Sequence, residues 1–314
     1  DYLANLKPGL AGAFNLIAPQ GLTAVFGSSF AVMDLQGDQF LKRSDELLAD
    51  YPAIYSAALR DSAASTAAFD DYVKTPWSVY LDLPFSSASI TADSQASGYD
   101  LSTRGVTLGL DRRINDHYFV GFSAAYASTR ADVTDGSTVD SRSTVVDAYA
   151  LWSNHGFHLL GLAGGTTSTF DSNRQSLGGI AKGSAKGLGW MGLVGGGYDW
   201  RKGPWNIGSQ VVVQYGSAGI DQFTEQGSLS PLQVLSKRTE SAHSQAGLNL
   251  RYHHLAPPWT ILTPQVYVGW RHELAGDQVS LGSRSASGAG QVFTVYGPKL
   301  GSDSIIGSVG LSIQ

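Results

Sequence analysis

Asp82, Asp147, Asp199, Arg251 and Arg271 share one setting: each alternates with large apolar neighbours, on the parity that also holds glycine, asparagine and glutamine. Asn206, Gln210 and Gln214 repeat the pattern within 205–215, against Trp205, Ile207, Val211, Val213 and Tyr215. A strand has a side-chain period of two, so the polar set points away from the apolar face. Charges withdrawn from water need partners. An upstream segment, 21–50, offers Asp34, Lys42, Arg43, Asp45 and Glu46. The chemistry expected of these residues is non-covalent: polar pairs between a wall of strands and a helix, with Lys42 and Arg43 as helix cations. A charge ladder among neighbouring strands is the other reading of the same residues.

Covalent chemistry has little to work with. No G-x-S-x-G elbow occurs, and His117, His155, His158, His243, His253, His254 and His272 fall mostly at strand ends or turns. The stretch GLAGGTTST (161–169) lacks the Gly-Lys-Ser/Thr ending of a phosphate loop and no helix follows it. In GLGWMGLVGGG (187–197) glycine occupies polar-face positions without a dinucleotide fold around it. Adjacent His253 and His254 are poorly placed to share a metal. No catalytic residue, cofactor or metal site is expected. The 21 basic and 26 acidic residues form no basic block, which argues against nucleic acid. The absence of cysteine fits export through an oxidising compartment.

The elements that position these residues read as ten strands after a helical segment. Gly21 to about Asp50 carries apolar residues at helical spacing, as one helix or two broken at Gly37, and Tyr51-Pro52 ends it. Residues 53–74, rich in Ala and Ser, read as a short helix and linker. The apolar faces that follow are Trp77–Phe85, Val106–Leu110, Tyr118–Tyr126, Val146–Trp152, His158–Leu162, Leu188–Trp200, Trp205–Tyr215, Ser244–Tyr252, Leu262–Trp270 and Ile305–Ile313, each taken at alternate residues. The opposite faces are rich in polar residues and glycine, and no helices lie between strands to cover the apolar ones. An apolar outside and a polar inside define a transmembrane β-barrel. No run of about 18 apolar residues provides a transmembrane helix.

Connections alternate in expected length. Short ones fall at 114–117, 153–156, 201–204 and 253–258; long ones at 87–98, 131–142, 169–184, 217–238 and 273–303. Outer-membrane barrels have short periplasmic turns and longer external loops. Trp77, Tyr118, Trp152, Trp200, Trp205, Tyr252 and Trp259 gather beside the short turns, where an amphipathic ring suits the headgroup level.

A helical segment feeding such a barrel resembles the translocator domain of autotransporters, the type V secretion family. The resemblance is carried by GVTLGLDRRINDHYFVGFSAAY (105–126), LTPQVYVGWRHE (262–273) and SIIGSVGLSIQ (304–314), in that order. It implies an all-β, antiparallel, up-and-down barrel of twelve strands in the bacterial outer membrane, with a helix in or near the lumen. It also implies a monomeric barrel inserted by the barrel-assembly machinery, surrounded by outer-membrane lipids and carrying its own N-terminal passenger to the cell surface. The expected organisation is a passenger linker at 1–20, a helical plug and linker at 21–74, and the barrel from 75 to 314. Ten strands hold a helix of about 10–12 Å poorly, so two strands are expected beyond those visible, and Asp1 is expected to lie inside a longer precursor. Two other functions fit a ten-stranded barrel. One is an omptin-like outer-membrane protease, which needs converging Asp and His at the external rim and no plug. The other is a structural scaffold for surface display or adhesion. Some autotransporters cut themselves at an asparagine of the lumenal helix. This chain has Asn5 and Asn15, then none before Asn115, so cleavage within the helix is not expected.

Overall fold

The computed structural model describes residues 17–48, 76–93, 96–256, 260–275, 278–288, 290–299 and 301–313. Wherever the sequence alternates, the chain is extended and paired with its neighbour in antiparallel register. The strands of the wall are β1 (Trp77–Asp82), β2 (Phe85–Ile90), β3 (Tyr99–Arg113), β4 (Tyr118–Val133), β5 (Thr138–Asn154), β6 (Phe157–Ser176), β7 (Gly179–Lys202) and β8 (Trp205–Ile220). A second, four-stranded sheet joins β9 (Phe223–Thr224), β10 (Leu232–Val234), β14 (Ser280–Ser285) and β15 (Phe293–Tyr296). The wall is completed by β11 (Lys237–Tyr252), β12 (His254–Ala256), β13 (Thr260–Ala275) and β16 (Asp303–Ile313).

These make a 12-stranded sheet in which β1 and β2 lie end to end against β3, and β11 and β12 end to end against β13. Ten strand positions therefore stand side by side. Pro84, which cannot donate to the ladder, marks the break between β1 and β2. Among the described residues no pairing joins β16 to β1 or β2, so the curled sheet stays open along that seam.

Burial runs opposite to that of a water-soluble protein. Leu108, Phe122, Val146, Leu188, Val194, Val211, Leu248 and Val268 are exposed on the convex face, whereas Thr107, Asp111, Ser123, Asp147, Asp199, Asn206, Gln214 and Arg251 are buried on the concave one. Apolar residues on a membrane barrel's outer face meet lipid, and the polar set meets the lumen. No described helix is long and apolar enough to cross a membrane; the strands form the span.

Inside the curl lies α1 (Ala24–Leu48), entered through a 3-10 turn (Gln20–Thr23). It is one helix, unbroken at Gly37. Its first turn has no acidic residue, its last turn no basic one, and the preceding turn has no side-chain cap. A helix without these aids depends on tertiary packing, and it is buried almost all round. Leu22, Phe26, Met33, Phe40 and Leu41 pack with Tyr149, Leu160, Leu162, Met191, Leu193 and Val212 of the wall.

Two sequence expectations are corrected. His158, Leu160 and Leu162 face inward; the outward side chains of that strand are Phe157, Leu159 and Ala163. Both faces are apolar there, because the inner one packs against the helix, so alternation leaves the parity unassigned. The connections at 131–142 and 169–184 are tight: β4 and β5 meet across 134–137, and β6 and β7 across 177–178. Strands β5, β6 and β7 have 17, 20 and 24 residues, against the ~9–11 that cross a membrane. Their polar ends continue as paired strands beyond it. Of the other long connections, 87–98 narrows to 91–98 between β2 and β3, and 217–238 and 273–303 contain the second sheet. The expected linkers fall largely on residues 1–16 and 49–75, outside the described residues, as does Trp259.

Candidate functional site

The site is the lumen and the helix that occupies it. At about 1.5 Å per residue, the 25 residues of α1 extend about 37 Å, comparable to the hydrocarbon thickness of a bilayer. The entering turn lies at the end where the second sheet sits: it packs against β14 and β15, and Gly21 adjoins Val133 and Ser137. The C-terminal end, Leu47 and Leu48, shares a cavity with His117, Asn154, His155 and Arg201 of the short turns. The helix thus runs from the long-strand end of the barrel to the short-turn end.

Close approach is provided by small residues on both surfaces. A Cβ at Gly189 would stand 2.5 Å from Met33 Cε, and one at Gly216 would stand 2.9 Å from Met33 Sδ. Larger residues there would force the end of the buried Met33 side chain to move.

Polar contacts hold the helix on several sides. Lys42 Nζ donates to Asp82 of β1 at 2.7 Å. Arg43 Nε donates to Asp111 of β3 at 2.9 Å, while its Nη1 reaches Glu46 at 2.8 Å and its guanidinium lies 4.6 Å from the Tyr80 ring centroid. Asp34 accepts from Gln214 of β8 and from Arg271 of β13, each at 2.9 Å. Gln36 Nε2 donates to Thr107 at 3.3 Å. Towards the short-turn end, Arg251 Nη1 donates to the Asp45 carbonyl at 2.6 Å, and its Nη2 to Asp199 at 2.7 Å. Arg201 donates to the Leu48 carbonyl and Asn249 to the Asp45 carboxylate. The last carbonyls of a helix have no partner within it and carry its negative pole. Here two wall arginines take two of them, those of Asp45 and Leu48.

Among the residues singled out from sequence, Asp82, Asp199, Gln214, Arg251, Arg271, Lys42 and Arg43 stand in this set of contacts. Gln210 lines a cavity beside Asp38, Lys42 and Asp45. Asp147 and Asn206 are buried in the wall but do not touch the helix through any polar contact given by the described residues; Asp147 accepts from Ser123 at 3.3 Å. Asp111, Arg201, Gln36 and Thr107 were missed, whereas Asn249 has lumen-facing parity in the sequence. Asp111 was legible: in GVTLGLDRR it alternates with Leu108 and Leu110, as Thr107 and Gly109 do. Arg201 carried no such signal, because it sits where the strand meets its turn.

Of the rim aromatics, Trp77, Tyr118, Trp200 and Trp205 are about half exposed. Tyr118 pairs with Trp152 across β4 and β5, and Trp205 lies 4.7 Å from Tyr252.

Over residues 85–314 the sequence matches the autotransporter beta-domain family. The translocator domain of the autotransporter NalP from Neisseria meningitidis shares the fold at 16% identity and a TM-score of 0.57, over 84% of this chain and 97% of that one. The beta domain of the Bordetella autotransporter BrkA does so at 16% identity and a TM-score of 0.53, over 76% of this chain and 96% of that one. No curated protein matches the sequence. At that identity the structures speak for the fold alone, whereas the family match spans most of the chain. An inside-out sheet curled around a helix, with that match, makes this chain a member of the autotransporter beta-domain family, an outer-membrane translocator.

Proposed function

We propose that the barrel stands with its short turns in the periplasm and its second sheet outside, and that α1 is the trailing end of a passenger, left in the lumen as a plug. The observation that carries this reading is the direction and anchoring of α1. It enters beside the second sheet, ends at the short turns, and is bonded to β1, β3, β7, β8, β11 and β13. In this reading residues 1–20 link to the passenger, 21–74 form the plug and its return linker, and 75–314 form the translocating barrel. The barrel works as a monomer, is inserted by the barrel-assembly machinery, and performs no covalent chemistry. The polar pairs to Lys42, Arg43, Asp34 and Asp45 hold the plug in place.

Asparagine is absent from 16–114, so the helix has no asparagine side chain to attack its own backbone, and a passenger stays attached or is released by another protease. The omptin-like alternative needs an open lumen, which α1 occupies. A surface-display scaffold would share this barrel and differ only in what lies upstream.

Single-channel recording in planar bilayers tests the plug. Removing residues 1–50 should raise conductance severalfold. An unchanged low conductance would mean that the external loops or the narrowness of the sheet close the pore, and the plug reading fails. Peptidase activity of the purified barrel, lost on substitution of His272 or Asp303, an exposed pair 2.9 Å apart across β13 and β16, would favour the enzyme.

A further inference from the structure

The lipid-facing surface changes character along one cross-strand row of β3, β4 and β5. Register places Phe85, Arg104, Ser128 and Arg142 in one cross-strand row, and Arg130 follows Ser128 by two residues on the same face of β4. Adjacent strands are about 4.8 Å apart and alternate residues about 6.8 Å. Three arginine Cα atoms therefore surround that of Ser128 at roughly 5–7 Å. All three side chains are exposed and point outward, on the parity of Val106, Tyr126 and Val146.

The next row towards the short turns is Val106, Tyr126 and Thr144, and the one after it Leu108, Ala124 and Val146. The arginines lie 8 to 12 residues along their strands from the rim residues Arg112, Tyr118 and Trp152, and a spanning strand needs ~9–11. They stand where the hydrocarbon ends. The short-turn rim differs, with aromatic rings and Arg112 5.1 Å from the Trp77 centroid.

Acidic partners approach from the far side only. Arg130 donates to Asp132 at 2.9 Å and to Asp140 at 3.3 Å, and Arg142 donates to Asp171 at 2.7 Å. On their own strands these acids sit two residues further out than Arg130, Arg142 and Thr169. A guanidinium has five N–H donors, so donors remain on both arginines. Arg104 makes no hydrogen bond or ion pair among the described residues.

We propose that Arg104, Arg130 and Arg142 seat a phosphate of an anionic lipid headgroup in the outer leaflet, with the Ser128 and Tyr126 hydroxyls as further donors and Phe85 against the acyl chains. Guanidinium forks match phosphate oxygens in pairs, and this cluster meets the membrane where such phosphates lie. The leaflet assignment rests on the orientation proposed above.

Native mass spectrometry of the full chain in detergent tests the seat. The probes are a phosphorylated glucosamine-based glycolipid, the same lipid with its phosphates removed, and inorganic phosphate. The wild-type chain should retain the phosphorylated lipid and not the dephosphorylated one. Arg104→Ala with Arg142→Ala should lower retention roughly tenfold to hundredfold, as loss of charge-assisted hydrogen bonds predicts. Arg104→Lys with Arg142→Lys, which keeps the charge and the fold, should fall between. Lys182→Ala, on the exposed end of β7, should change nothing. Equal retention of both lipids, an undiminished double alanine variant, or displacement by millimolar inorganic phosphate would each overturn the proposal. Labelling a cysteine at Leu229 with an impermeant reagent on intact cells reports orientation separately. Lipid retention without that labelling would overturn the outer-leaflet assignment and leave the phosphate seat standing.

Discussion

Asp111→Asn is the sharpest perturbation of the plug, because one atom pair changes and the shape does not. Arg43 and Asp111 are 9% and 1% exposed at their side chains. Arg43 Nε reaches the carboxylate at 2.9 Å, and the Tyr149 hydroxyl donates to the other carboxylate oxygen. An asparagine keeps one carbonyl oxygen for Arg43 and turns a donor towards Tyr149, whose hydroxyl must then accept, and the buried guanidinium loses its counter-charge on β3. Breaking a buried pair costs about 3–5 kcal/mol, and Glu46, still 2.8 Å from Arg43 Nη1, favours the lower end. A loss of about 3 kcal/mol lowers the docked-to-undocked ratio of the helix roughly 150-fold. Planar-bilayer recording reads this as time spent in the high-conductance state of the helix-deleted barrel. Arg43→Met combined with Asp111→Leu removes both charges and should restore a closed pore, since an apolar replacement of a buried pair is often neutral or stabilising. If Asp111→Asn raises open time by less than about fivefold, the range of an exposed pair, or if the double variant opens as widely, the pair does not hold the plug.

Three further outcomes follow from the wall and the second sheet. Val213→Arg places a charge against lipid at a cost of about 2–4 kcal/mol and should lower the urea midpoint of folding in vesicles; Gln210→Arg, facing the lumen beside Asp38 and Asp45, should leave it nearly unchanged, and equal effects would refute the assigned faces. A cysteine at Leu229, 84% exposed in the second sheet's connection, should react with an impermeant thiol reagent on intact cells, and one at His155 should not; the reverse pattern would invert the barrel. Glu225 accepts from Arg174 at 2.9 and 2.6 Å and from the Leu232 amide at 3.0 Å, with almost no exposure, so Glu225→Gln should cost about 3 kcal/mol and expose 221–236 to proteolytic nicking. Unchanged digestion kinetics would mean that apolar packing alone holds that sheet.

Composition and alternation by themselves determined the inside-out sheet, the ten strand positions and a helix before the first strand. A period of two assigns each side chain to a face with no knowledge of its neighbours, and an apolar face opposite a glycine and polar face leaves few architectures. That logic also reached Asp82, Asp199, Gln214, Arg251 and Arg271, and would have reached Asp111. It failed at Phe157–Leu162, where the inner face is as apolar as the outer because α1 packs on it. It failed again at the far ends of β5, β6 and β7, where the outer face is polar and exposed and the buried inner face is itself partly polar, with Ser141, Ser172 and Arg174, so that the strands look like loops. Only the tertiary structure decided that Arg43 meets Asp111, that Asp34 meets Arg271, and that Arg201 and Arg251 take two of the last carbonyls of α1. Alternation gives a residue its face but not its depth. Depth depends on strand register and tilt around the curl, and those are set by pairing between strands far apart in the chain.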